Sequence, residues 1–107
     1  MAWDWLRFVD EGRHAASWSA ASSILRQGTE AAAWAAALRS VRAPLGRCLS
    51  RALRSQVAVE GPGDARHEPY VVARYDSVFE RLGRKTETVT LAQDAEGCWR
   101  VAAYFVG

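Results

Sequence analysis

With 107 residues, 50% of them hydrophobic and 24% charged, the chain has room for one globular core spanning residues 1–107 and none for a second. Its 14 basic and 12 acidic residues leave a formal charge of +2, too even a balance for a nucleic-acid binder, and no apolar run nears the ~20 residues of a membrane span. Met1-Ala2-Trp3-Asp4-Trp5 has neither the positive n-region nor the apolar h-region of a signal peptide, so the expected location is cytoplasmic, or periplasmic if a leader has been removed.

Trp5, Phe8 and Val9 recur at i, i+3 and i+4 and predict a first helix that Gly12 stops. Residues 14–27 repeat the pattern with Trp18, Ala21, Ser22 and Leu25, and Gly28 ends it. Thr29 is the expected N-cap of a third helix, with Glu30 in its first turn. Trp34, Leu38, Val41 and Leu45 then form one apolar stripe. Pro44 disfavours helical geometry at Ala43, so the helix is expected to stop there.

From Cys48 to Glu60 the period changes. Leu49, Leu53, Val57 and Val59 share one parity against Ser50, Arg54, Gln56 and Ala58, which predicts a strand with one apolar face that Arg51 and Ser55 interrupt. Gly61-Pro62-Gly63-Asp64 is turn chemistry. Residues 70–82 predict the clearest long strand, Val71, Ala73, Tyr75 and Phe79 facing one way and Arg74, Asp76 and Glu80 the other. After a short connection at Gly83 and Arg84, Thr86, Thr88 and Thr90 alternate with Glu87, Val89 and Leu91. The turn Asp94-Ala95-Glu96-Gly97 leads into Trp99, Val101, Ala103 and Phe105, alternating with Arg100, Ala102, Tyr104 and Val106. Short turns between successive strands predict a four-stranded antiparallel meander. Helices first and strands afterwards predict an α+β fold, the N-terminal helices packed on the sheet.

Three groups of residues carry a family resemblance. They are Trp5-Leu6-Arg7-Phe8-Val9-Asp10 with Ala16-Ser17-Trp18; Trp34-Ala35-Ala36-Ala37-Leu38-Arg39 with Arg42-Ala43-Pro44-Leu45-Gly46 and Ser50-Arg51; and Tyr70-Val71-Val72 with Glu87-Thr88-Val89-Thr90-Leu91, Gly97-Cys98-Trp99-Arg100-Val101 and Tyr104-Phe105. In order and spacing they resemble a bacterial family catalogued as domain of unknown function 4019. The resemblance implies a cystatin-like or nuclear-transport-factor-2-like cone, in which helices lie in the concave side of a curved sheet. It also implies export for most members, and it implies no activity.

Among residues that could carry chemistry, Glu87 stands out, because strand parity puts it with Val89 and Leu91 on the apolar face. A carboxylate there either has its pKa raised by burial or pairs with an arginine. It is a general base or ligand anchor on one reading, and the partner of Arg39 or Arg42 in an edge-of-core salt bridge on the other. Arg39 and Arg42 share a helix face and, with Arg47, Arg51 and Arg54, make a basic segment suited to a carboxylate, a phosphate or an acidic partner. Trp18, Trp34, Tyr75, Trp99 and Tyr104 line a ligand pocket or fill the core. His14 and His67 have no companion ligands at metal spacing, Cys48 and Cys98 match no redox motif, and no cofactor or metal is expected. Cys48 lies beside Arg47 and Arg51, which could lower its pKa, but a buried or inert thiol is the stronger reading.

The functional expectation is a non-enzymatic binding domain that holds a protein partner or a small apolar ligand on the concave or exposed face of the sheet. Arg74, Asp76, Glu80, Thr88 and Arg100 are the expected exposed sheet positions. Homodimerisation and an inhibitor or immunity-type role are concrete forms of that expectation. The alternative is a small cone-fold enzyme of isomerase, dehydratase or hydrolase type, pairing Glu87 with Tyr75, Tyr104 or Arg39 in an apolar pocket.

Overall fold

A computed structural model describes residues 2–59 and 70–107. The expected turn at residues 61–64 and His67 lie outside the described residues. The first helix, α1 (Ala2–Asp10), buries Ala2, Trp5, Leu6 and Val9. It closes as its sequence predicts. Gly12 takes a φ of 72°, and the N–H groups of Gly12 and Arg13 donate to the carbonyls of Val9 and Phe8 at 3.1 and 2.8 Å. This double closure needs a left-handed residue, which glycine supplies at little steric cost.

The helix expected over residues 14–27 is two helices, α2 (His14–Ser19) and α3 (Ser23–Gly28). Ser22 makes the break. Its backbone is extended, its hydroxyl accepts the Ile24 N–H at 3.1 Å, and its own N–H donates to the Val101 carbonyl at 2.8 Å. An N-cap serine that also reaches the sheet favours a new helix over continuing the old one. Thr29 is therefore not the cap of the next helix. It closes α3, and its carbonyl accepts the Trp18 indole N–H at 2.9 Å. Glu30 occupies the cap position of α4 (Ala31–Arg42), which ends before Ala43 as expected, although Ala43 itself keeps helical dihedrals (φ −58°, ψ −44°) and is not pushed out of them by Pro44. Along α4, Leu38 and the following Leu45 are buried, but Val41 is 42% exposed and Arg42 is 9% exposed. The stripe bends toward Arg42 because that side chain has a partner inside.

Four antiparallel strands follow in the order β1-β2-β3-β4: β1 (Cys48–Val59), β2 (Tyr70–Phe79), β3 (Gly83–Gln93) and β4 (Trp99–Val106). The α+β meander is as the sequence predicts. β2 buries Ala73, Tyr75, Ser77 and Phe79, and β3 buries Glu87, Val89 and Leu91, so these residues mark the face the helices cover. Gly83 belongs to β3, opposite Phe79, and the connection falls at residues 80–82 instead of at Gly83 and Arg84.

Two strands depart from strict alternation, and both departures matter for the site. β1 has register irregularities after Cys48 and after Leu53. Residues directly opposite one another share a face. Arg51, Leu53 and Gln56, opposite Ser77, Tyr75 and Ala73, therefore face the helices, while Val57 and Val59, opposite Val72 and Tyr70, face away. The expected single apolar face of Leu49, Leu53, Val57 and Val59 does not exist, and these four side chains are 58, 49, 50 and 43% exposed. In β4 an irregularity leaves Ala102 without a partner, so Val101 and Tyr104, opposite Leu91 and Val89, both face inward. Phe105 points out and is 66% exposed, not on the Val101 face as alternation predicts. A bulge adds one residue and so exchanges the two faces beyond it.

The helix layer is fastened through tryptophan. Ser17, fully buried, accepts the Trp5 indole N–H on its carbonyl at 2.9 Å and the Trp34 indole N–H on its hydroxyl at 3.0 Å, and the hydroxyl donates to the His14 carbonyl at 2.7 Å. No helix among the described residues is long and apolar enough to cross a membrane. Ser17→Ala strands the Trp34 N–H while leaving the Trp5 bond intact. The expected loss is about 1–3 kcal/mol, read as a lower urea midpoint with an unchanged m-value.

Candidate functional site

The charged centre of the molecule lies between the sheet and α1. β3 places Glu87 inward, fully buried beside Val89. Its Oε1 accepts Arg51 Nε at 2.6 Å and the Ser77 hydroxyl at 2.6 Å, and its Oε2 accepts Arg51 Nη2 at 3.1 Å and the Tyr104 hydroxyl. Arg51 also reaches the last residue of α1, donating from Nη1 and Nη2 to Asp10 at 2.8 and 3.0 Å. Arg42 donates to the same carboxylate at 3.0 Å, and its guanidinium stands 4.9 Å from the Phe79 ring centroid. Two arginines and two carboxylates thus neutralise one another across α1, α4, β1 and β3. Arg42 Nε has no hydrogen-bond partner among the described residues.

The environment pulls the titrating groups in definite directions. Burial alone would lower the Arg51 pKa, but hydrogen bonds and charge from Asp10 and Glu87 outweigh it, and the guanidinium is held protonated more firmly than in water. Burial, and then the negative charge and hydrogen bond of Glu87, push the Tyr104 hydroxyl well above the ordinary tyrosine range. Tyr75 is raised by burial, with Arg51 opposing. Cys48 is also raised, burial outweighing the nearby Arg51. The arginines beside it do not make it an activated thiolate. Cys48 and Cys98 are both free.

Of the residues singled out in the sequence, Glu87, Tyr104 and Arg42 meet in this centre, and Tyr75 stands directly across the sheet from Glu87. Neither Arg39 nor Arg42 is the partner of Glu87. Arg39 is exposed on α4, and Arg42 pairs with Asp10. Trp34 belongs to the Ser17 cluster among the helices. Sequence reasoning missed Asp10 and Ser77, and it read Arg51 as a flaw in an apolar face. Of the expected exposed sheet positions, Arg74, Asp76 and Glu80 are exposed, while Thr88 and Arg100 are half-buried.

Tyr75 and Trp99 share a second feature, a cavity of 220 Å³ on the helix-covered side of the sheet. Leu53 and Gln56 of β1 form its wall nearest the sheet edge, Val71 and Leu91 its floor, and Trp3 stands against Tyr75 edge to face at 5.3 Å between centroids. Trp3 is also 6.0 Å from the Arg51 guanidinium, at the limit of a cation–π contact. Outside this cavity β1 is an edge strand, and among the described residues no strand pairs with its outer side.

Asp94, Glu96 and Cys98 bring ligand atoms within 4.8 Å of one another on the β3–β4 turn. The turn's own bonding accounts for that cluster. Asp94 Oδ1 accepts the N–H groups of Glu96 and Cys98, both at 2.9 Å, and Oδ2 accepts Arg100 Nε at 2.8 Å. The Arg100 bond first, and then the Cys98 N–H, hold the Asp94 carboxyl below its ordinary pKa.

A family model described as Protein of unknown function (DUF4019) matches residues 1–104, and the chain belongs to that family. Comparison with curated proteins and with solved structures finds no match.

The buried centre makes two predictions. Arg51→Met leaves Glu87 without its countercharge and is expected to cost roughly 3–5 kcal/mol. Glu87→Gln keeps one of the two oxygen acceptors that Ser77 and Tyr104 use and leaves Arg51 its other countercharge, Asp10, so it is expected to cost less, about 1–3 kcal/mol. Chemical denaturation of both variants and of the double mutant, which should be strongly non-additive, checks this. The second concerns alkaline pH. Above about pH 10 a tyrosine in the unfolded chain loses its proton, whereas folded Tyr104 keeps it, so the unfolded state binds fewer protons and stability falls as pH rises. Tyr104→Phe should make the decline of unfolding free energy between about pH 10 and 11 shallower than wild type by up to about 1.4 kcal/mol per pH unit.

Proposed function

We propose that the chain, a member of the DUF4019 family, is a non-enzymatic protein-interaction domain that binds its partner along β1 and the adjoining apolar surface. The observation that carries this reading is the outer strand itself. Twelve residues long, it stands at the sheet edge with Leu49, Leu53, Val57 and Val59 each at least 43% exposed. A long, apolar edge is a template for another chain, and proteins that keep one without a partner risk aggregation. The helix-covered sheet supports the likeness to the cystatin-like and nuclear-transport-factor-2-like group, a fold class that includes interaction modules.

The enzyme alternative has less behind it. Its base would be Glu87, yet both oxygens of that carboxylate already accept Arg51, Ser77 and Tyr104, and Glu87 lines none of the described cavities. Of its expected partners, Tyr104 is bonded to the same carboxylate, Arg39 is exposed on α4, and Tyr75 lines the cavity, which Glu87 does not. Glu87 and Tyr104 hold one another in place and present no free acid–base pair to a substrate.

Native mass spectrometry of the chain prepared gently from its own host, beside Leu53→Lys/Val57→Lys, tests the reading. Both positions are half exposed, so the variant should unfold at nearly the wild-type midpoint. A partner protein retained by wild type and lost from the variant is the expected result. A wild-type chain that carries only a small molecule or nothing, or a partner kept equally by both, contradicts it.

A further inference from the structure

We infer that β1 takes up an extended peptide of the partner as a fifth strand, one bulky apolar side chain of that peptide entering the cavity behind Leu53 and Gln56 and an acidic residue meeting Arg54. The inference rests on the reading of β1 as the binding edge and names what binds there. Strand addition draws affinity from main-chain hydrogen bonds and specificity from pockets that accept alternate side chains. Both parts are present. The register irregularity after Leu53 leaves Ser55–Val59 as a continuous run paired on one side to β2. Within that run Gln56 faces the cavity, so a residue laid opposite it points the same way. At 220 Å³ the cavity falls below the roughly 300–1,000 Å³ typical of small-molecule sites and suits a single side chain. Its walls offer aromatic surface from Trp3, Tyr75 and Trp99, with Gln56 as a polar element.

Charge selects the kind of peptide. From Arg47 to Val59 the chain carries three arginines and no acid. Arg51 is neutralised inside, but the side chains of Arg47 and Arg54 are 81 and 58% exposed, and their contacts with Glu80 and Asp76 are loose at 3.7 and 3.8 Å. Arg54, Arg84 and Lys85 also line an open cleft of 600 Å³ beside β1, where Asp76 supplies the only acidic side chain of the lining. A second copy of this chain paired along β1 would bring arginines to a seam that already has no acid, and like charges across strands are unfavourable. An apolar and acidic segment meets both features at once.

The test is selection of random displayed octapeptides on the purified full chain, followed by synthesis of the enriched sequence. Enriched peptides should carry one Trp, Phe, Leu or Ile with Asp or Glu nearby, in alternating pattern. N-methylation of the backbone amides on one alternate set should weaken binding at least about fivefold, with the other set nearly neutral. Val71→Phe, which fills the cavity from its floor, should weaken the same peptide at least about tenfold. No enriched peptide, a basic consensus, equal effects of the two methylation sets, or a homodimer sealed along β1 would each overturn the inference. If the partner of the full chain is still lost in Leu53→Lys/Val57→Lys while the peptide results fail, the binding-edge reading stands and only this account of the occupant falls.

Discussion

Arg51 is the residue on which the arrangement turns. An edge strand joined to its sheet by one ladder has little to hold it against a helix layer. In this molecule a guanidinium on that strand is clasped by a carboxylate from α1 and another from β3, with its own side chain only 6% exposed. The forked geometry of arginine allows both grips at once, which a lysine could not match. Taking Glu87, Arg51 and Arg42 out of water is costly, and such centres seldom add much net stability over an apolar filling. What they give is position. Any slip of β1 by one residue would expose Glu87 to an apolar interior without its partner.

That fixed position has consequences at the surface. With Arg51 inward, the irregularity after Leu53 turns Val57 and Val59 outward, Leu49 stands exposed in the other irregularity, and Leu53 lies at the rim of a small aromatic cavity. Trp3 links the two features, touching Tyr75 on one side and lying near Arg51 on the other. The same ionic clasp that anchors the strand therefore shapes the apolar edge offered to a partner. Glu87, the residue whose type and parity most resemble catalytic chemistry, belongs to the support of the surface.

The layers were legible from the sequence because hydrophobic period and turn residues are local signals. Gly12 stops its helix where it is read, α4 ends before Ala43 as expected, and the inward parity of Ala73, Tyr75, Phe79, Glu87, Val89 and Leu91 holds across the two central strands. The edge strands were misread, because a bulge has no residue signature here and reverses everything after it. Ala102 is an ordinary alanine, yet it decides that Tyr104 and not Phe105 meets the core. Arg51 did leave a trace, as a charge interrupting an apolar run. An interruption at an inward position needs a buried partner, and Glu87 two strands away was the candidate of opposite sign. Asp10 gave no such sign, since an acid at the end of a helix reads as surface. Ser22 broke a predicted helix through a bond to β4 that no local pattern encodes.

Hydrogen exchange of β1 in the isolated chain tests most directly whether the clasp holds a strand whose outer edge is open. In an antiparallel edge strand alternate N–H groups point into the ladder and the rest point to solvent. Slow exchange at one alternate set of β1 amides, comparable to β2 and β3, with fast exchange at the other set is the predicted result. Slow exchange at both sets would mean the edge is already covered, and fast exchange at both would mean that Arg51 does not hold the strand; either would contradict this account.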